Sequence, residues 1–145
     1  MKKYTLLFTI TYFAITLIIA VITTLLEIGG ELFSGIATTF AASALAAWRF
    51  ANDHGREPSL EEKKSFAWQA LASIWVISLL MAGIVVVVLL SPDEMKEAFD
   101  LLTSQRFLII LVLVTLFVSL IYYAVIRWTF AWYAKFTLKN KPARG

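Results

Sequence analysis

The chain of 145 residues has no cysteine, one histidine, three prolines and six glycines, and only 16% of its residues are charged. Each shortage excludes something. Without cysteine there is no disulfide framework, no thiolate metal site and no thiol redox chemistry. The one histidine, His54, stands between Asp53 and Glu57. Structural zinc takes four ligands, so His54 reads as a solvated loop residue and no metal is expected. Pro58, Pro92 and Pro142 all lie outside the interiors of the apolar runs, and only Gly35 and Gly83 lie inside them. Broken helices of the kind that build transport sites are therefore not signalled. No glycine-rich phosphate loop, nucleophile–base pair or pair of catalytic carboxylates is present, so the chain reads as a non-enzyme without a cofactor.

The shortage of charge says most. Soluble domains carry about 25% charged residues; here 60% of the residues are hydrophobic and the mean hydropathy is +0.79. A domain this small has nowhere in water to hide that excess, and the bilayer is the expected solvent. Four long runs carry it, each of a length close to the roughly 20 residues that cross a membrane. They are Tyr4–Leu26, Leu32–Trp48, Ser65–Pro92 and Phe107–Ile126, all without a charge. The first run exceeds the 7–15 residues of a signal-peptide core and reads as a retained span. With their flanks, the expected helices cover residues 4–26, 32–52, 60–90 and 107–136. They form one four-helix transmembrane domain over residues 1–145.

Lysine and arginine favour the cytoplasmic side of a membrane. The N-terminus, the loop between spans two and three and the C-terminal tail together hold 11 basic and 4 acidic residues, net +7. The remaining loops hold 2 basic and 6 acidic residues, net −4. The overall charge of +3 is thus an orientation signal and not a nucleic-acid footprint. Both termini are expected in the cytoplasm. Trp48, Trp68, Trp128 and Trp132, with Tyr4 and Tyr133, fall near the same side as half of an aromatic belt.

Local chemistry marks the turns. Gly55 suits the end of the second helix, and Ser59-x-x-Glu62 reads as a capping box opening the third. The turn between them is short, so spans two and three are expected to pair as a hairpin. Helix three would run about 46 Å from Leu60 to Leu90, which leaves Glu61 to Lys64 in water. Ser91-Pro-Asp-Glu94 repeats the capping device. It opens a helix over residues 92–104 with Met95, Ala98, Phe99 and Leu102 on one face, as expected of an amphipathic helix on the outer surface.

Three groups of residues are candidate functional positions. Thr5, Thr9, Tyr12, Thr16, Thr23 and Glu27 fall on one stripe of the first helix, which suits either a polar track or simple interhelical bonding. Ser34, Thr38, Ala42 and Ala46, beside Gly35, Thr39, Ser43 and Ala47, make two small-residue rows on the second helix, suited to close packing within the bundle or in a homodimer. In the fourth span Thr115, Ser119, Tyr122, Tyr123 and Arg127 gather toward one side. Arg127 with Trp128 and Tyr123 is a candidate headgroup or anion contact. No acid lies mid-span, which argues against proton-coupled export.

The stretch Trp48-Arg-Phe50 through Arg56-Glu-Pro58 to Glu61-Glu-Lys63, set between a small-residue helix and a long apolar one, resembles a family of small four-helix inner-membrane proteins of Gram-negative bacteria, Acinetobacter among them. The resemblance implies an inner-membrane protein concerned with envelope permeability and homeostasis, with no assigned chemistry. The expectation is an all-α antiparallel bundle, with membrane lipids and other membrane proteins as partners and no nucleic acid. It would support the envelope through those partners, the alternative being a small dimeric transporter or channel for a small solute or cation.

Overall fold

The computed structural model describes residues 1–27 and 31–141, apart from the side chains of residues 31–33. Of the positions weighed above, Pro142, Arg144 and the side chain of Leu32 lie outside that set. The described chain is all helix: α1 (Lys2–Leu26), α2 (Glu31–His54), α3 (Leu60–Leu89), α4 (Pro92–Thr103) and α5 (Gln105–Lys139). Among the described residues, α1, α3 and α5 are long and apolar enough to cross a membrane. The less apolar α2 carries alanine, serine and threonine where those helices carry leucine, isoleucine and valine.

The ends of the helices follow from local hydrogen bonding. Ser59 Oγ accepts the Glu62 N–H at 3.2 Å while the Glu62 carboxylate accepts the Ser59 N–H at 2.8 Å. Ser91 and Glu94 repeat the pattern at 3.4 and 2.7 Å. Each box satisfies amide donors that the first turn of a helix leaves unpaired. Gly55 closes α2 at φ +63°, in the left-handed region that costs glycine nothing. Ser104 separates α4 from α5 and caps the latter through the Phe107 N–H at 3.3 Å.

Side-chain contacts give the helix directions. Thr5 meets Gln69 and Thr9 meets Ser73, so α1 and α3 run the same way. Tyr4 meets Phe50 and His54, which sets α2 against α1. Trp68 meets Tyr123, and Trp75 meets Ser119, which sets α5 against α3. Each of α1 and α5 packs on both α2 and α3, placing α2 and α3 at opposite corners of the bundle. The expected hairpin of spans two and three is therefore not what forms. The physical reason is reach: the five residues 55–59 extend to about 17 Å, enough to cross a diagonal between helices packed 8–10 Å apart. Of the packed pairs of long helices, α1/α3 and α2/α5 are parallel, and α1/α2 and α3/α5 are antiparallel.

The core is confined to one end. Its buried residues are the first half of α1 (Tyr4, Phe8, Tyr12), the second half of α2 (Thr38 to Ala51), the first half of α3 (Phe66 to Ile77) and the second half of α5 (Ile126 to Ala134). These halves meet at the basic end of the molecule. At the acidic end the helices stand apart, and Val85, Val87, Leu89, Leu108 and Leu113 are exposed. Helix α4 buries nothing, packs on α5, and leaves Met95, Phe99 and Leu102 exposed, as suits a helix lying on an interface.

Candidate functional site

The small-residue face of α2 is consumed inside the bundle. Thr38, Thr39, Ala42, Ser43, Ala46 and Ala47 are all buried, so from Thr38 onward both rows pack inside the bundle. Gly35 lies against the Tyr122 hydroxyl of α5, where a Cβ would collide with it.

The polar stripe of α1 divides into two parts. Toward the basic end its hydroxyls are tied to α3. Thr5 Oγ1 donates to Gln69 Oε1 at 2.8 Å, and the Thr9 and Ser73 hydroxyls bond at 3.0 Å. Gln69 and Ser73, an i,i+4 polar pair on α3, are absent from the expected site residues although their spacing matches that of Thr5 and Thr9. Beyond Tyr12 the stripe faces open space instead. Tyr12, Thr16 and Thr23, with Ser34, Gly35 and Thr38 of α2, Ser78 of α3 and Tyr122 of α5, line a cleft of about 410 Å³ in the acidic half of the bundle. Ser78 was also missed, since its polarity carries no signal until α1 and α2 stand opposite. Glu27 does not line the cleft. It is exposed, in a left-handed conformation at φ 52° just past the end of α1.

An aromatic layer lies beneath the cleft. Phe66 stacks on Phe130 with ring centroids 4.1 Å apart and meets Phe8 edge-on at 5.8 Å. Phe50 meets Phe130 at 5.7 Å. All four rings are fully buried, and they come from all four long helices. This floor is set below the cleft, since none of its rings is among the described lining residues, and Thr9 belongs to the packed seam between α1 and α3. The lining of the cleft is chemically mild. No charged side chain is among the described lining residues. Thr23 and Thr38 direct their hydroxyl protons to the Ile19 and Ser34 carbonyls at 2.8 and 2.7 Å, which leaves their oxygens as acceptors. The lining thus presents hydroxyl groups set among Ile19, Ala20 and Met81.

A polar clasp closes the basic end. The Asp53 carboxylate accepts from Lys3 at 2.8 Å and from the Tyr4 hydroxyl at 3.1 Å, and pairs with Arg49 at 3.3 Å. The Lys3 bond, then the Tyr4 bond and the Arg49 charge, hold this carboxyl below its ordinary value. His54 stacks on Phe50 at 4.4 Å, and its Nδ1 lies 3.1 Å from the Tyr4 hydroxyl, so this histidine, the last residue of α2, is part of the clasp and not a loop residue as expected. Arg56 grips Glu62 with both nitrogens, at 2.8 and 2.9 Å. Those bonds and the Ser59 N–H draw the Glu62 carboxyl down to about 2.

The polar side expected for α5 splits. Tyr122 turns to the cleft, whereas Ser119, Tyr123 and Arg127 turn to α3. Arg127, Trp128 and Tyr123 do come together, with Lys63 of α3 as an unforeseen fourth member. Trp68, Trp128 and Trp132 are exposed on the outside of the basic half, and Trp128 stacks on Trp132 at 5.7 Å. No protein-family model, no curated protein and no solved structure matches this chain.

Proposed function

We propose that this chain is a four-span, non-enzymatic protein of the cytoplasmic membrane that holds a small uncharged polar molecule in a cleft open toward the outer side. The observation that carries the reading is the cleft, hydroxyl-lined from Tyr12 to Thr23, with the buried core that includes the floor of Phe8, Phe50, Phe66 and Phe130 between it and the basic end. A conduit needs a continuous path, and four interlocked rings oppose one. Connectivity supports the fourth span. Helices α1 and α3 run parallel, so if both cross from the same side, α2 has to return between them. Its burial among the other helices explains how a helix rich in alanine and serine tolerates that place. The net charges of +7 and −4 support cytoplasmic termini. The resemblance of the Trp48–Lys63 stretch adds a home in the inner membrane of a Gram-negative cell and a part in envelope permeability, exercised through bound ligands, lipids or protein partners.

A second reading, a transporter seen closed at its inner end, draws on the Thr5–Gln69 and Thr9–Ser73 bonds, which continue the polar stripe to the basic end. The absence of native cysteine makes one experiment decide between them. Single cysteines are placed at Thr9, Thr16 and Thr23, and right-side-out and inverted vesicles are treated with a membrane-impermeant maleimide. The binder reading expects Thr16→Cys and Thr23→Cys to react from the acidic side and Thr9→Cys from neither. Reaction of Thr9→Cys from the basic side would favour the transporter, and protection of all three would refute the cleft.

A further inference from the structure

The face formed by α3 and α5, away from the cleft, carries a second feature. An apolar groove of about 630 Å³ lies between them, with Leu71 and Trp75 of α3 and Leu116 and Leu120 of α5 among its walls. Trp75 is fixed by donating its indole N–H to Ser119 Oγ at 3.0 Å. Toward the basic end the groove is bounded by Trp68 and Tyr123, whose rings lie 5.4 Å apart. Tyr123 also lines the adjoining notch of about 430 Å³, which contains Lys63, Arg127 and Trp128. Groove and notch therefore adjoin across Tyr123, one apolar and the other cationic.

We infer that this groove and the adjoining notch together bind one anionic phospholipid of the inner leaflet, with an acyl chain along Trp68–Trp75 and the phosphate between Lys63 and Arg127. Length agrees. From Lys63 to Trp75 the helix rises about 18 Å, against about 15 Å for one leaflet, half of a roughly 30 Å hydrocarbon core. Charge agrees as well. Neither Lys63 nor Arg127 makes an ion pair with a described residue, and the nearby Glu62 is already taken by Arg56. Two unpaired cations at the headgroup level suit a phosphate diester. A second copy of this chain is disfavoured as the occupant, because a two-fold contact there would bring two Lys63–Arg127 pairs together.

This inference rests on the membrane placement but not on the cleft. The test is native mass spectrometry of the full chain released from vesicles of phosphatidylcholine containing phosphatidylglycerol. Flotation of the protein with the vesicles is scored first. A chain that fails to float refutes the membrane placement itself. For a chain that floats, the expected result is one retained phosphatidylglycerol and no comparable retention of phosphatidylcholine. Lys63→Gln with Arg127→Gln should weaken that retention roughly thirtyfold, taking about tenfold per 1.4 kcal/mol and about 1 kcal/mol per cation. Lys139→Gln with Lys141→Gln removes the same charge from the same side and should leave retention unchanged. Ala72→Phe, which fills the groove and keeps both cations, should weaken it too. Equal retention of the two lipids, equal loss in both double variants, or full retention in Ala72→Phe would overturn the site.

Discussion

Truncating Phe66 to alanine tests the aromatic floor most directly. Phe66 is fully buried, stacked 4.1 Å from Phe130 and edge-on to Phe8 at 5.8 Å. In a soluble core a Phe→Ala change costs about 3–5 kcal/mol through lost transfer energy and the cavity left behind. Part of that sum is absent where the alternative surroundings are lipid tails as apolar as the core. The cavity and the two ring contacts remain, and each aromatic pair contributes about 0.5–1.5 kcal/mol beyond its area. The expected loss is therefore near the lower end, about 3 kcal/mol. Reversible unfolding in mixed micelles, followed through tryptophan fluorescence, measures it. Phe66→Leu should cost about 1.5 kcal/mol or less. Phe117→Ala, at an exposed ring, should stay within about 0.5 kcal/mol. The same truncation should open the floor, so that Thr9→Cys becomes reactive toward an impermeant maleimide. A Phe66→Ala variant no less stable than Phe117→Ala, with Thr9→Cys still protected, would refute the floor.

Three further outcomes follow from single groups. Ser43 Oγ and Thr129 Oγ1 are buried without a hydrogen-bond partner; an unsatisfied hydroxyl costs about 1–3 kcal/mol, so Thr129→Val and Ser43→Ala should each raise stability by about 1 kcal/mol in the same unfolding assay. Destabilisation of either by a similar amount would mean that the hydroxyl has a partner in the membrane. The Glu62 carboxyl sits at about 2 instead of its ordinary 4.5 because of Arg56 and the Ser59 N–H. Its contribution to stability is complete above pH 4.5 and is lost as pH falls from there through about 2. Glu62→Gln should flatten that acid limb of the melting profile, and an unchanged limb counts against the Arg56–Glu62 clamp. Asp53→Asn should lower the melting temperature, with the deficit shrinking at 1 M salt, where exposed charges are screened within about 3 Å; a deficit indifferent to salt would assign the clasp to packing instead.

What could be read from the chain in advance was whatever a few neighbouring residues decide. Ser59 with Glu62 and Ser91 with Glu94 announce helix starts because both partners of each box lie within one turn. The twin small-residue rows of α2 are visible as a period of four, and their burial follows. The floor was illegible for the opposite reason. Phe8, Phe50, Phe66 and Phe130 are spread over more than a hundred positions and look like any other apolar residues until four helices bring them together. Asp53 is similar. Only Arg49 of its partners lies within one turn, and its bonds to Lys3 and Tyr4 span about fifty residues. The α2–α3 pairing was misjudged because a short loop ordinarily joins neighbours, and nothing local reveals that five residues cross a diagonal.

The open acidic end has a cause in side-chain bulk. Between membrane helices the hydrophobic effect supplies little attraction, so close approach depends on small residues and shape. At the basic end, Ala42, Ala46, Ala47 and Ala51 of α2 and Ala67 and Ala70 of α3 let backbones come near, and large rings fill what is left. At the acidic end α3 presents the β-branched and leucine run from Ile84 to Leu89, and α5 presents Leu108 to Leu116, nearly all exposed. Side chains of that bulk are as well solvated by lipid as by one another, and nothing draws the helices together. The remaining small and hydroxyl-bearing residues, Thr16, Ser34, Gly35 and Thr38, then line a space they cannot fill. The cleft is thus the consequence of putting the small residues of α2 opposite threonines and a tyrosine at one end and opposite alanines and phenylalanines at the other. Enlarging Ser78, which lines the cleft from α3, to leucine should therefore reduce labelling of Thr16→Cys by occupying that space. Unchanged labelling would mean that the cleft is held open by something other than this distribution of bulk.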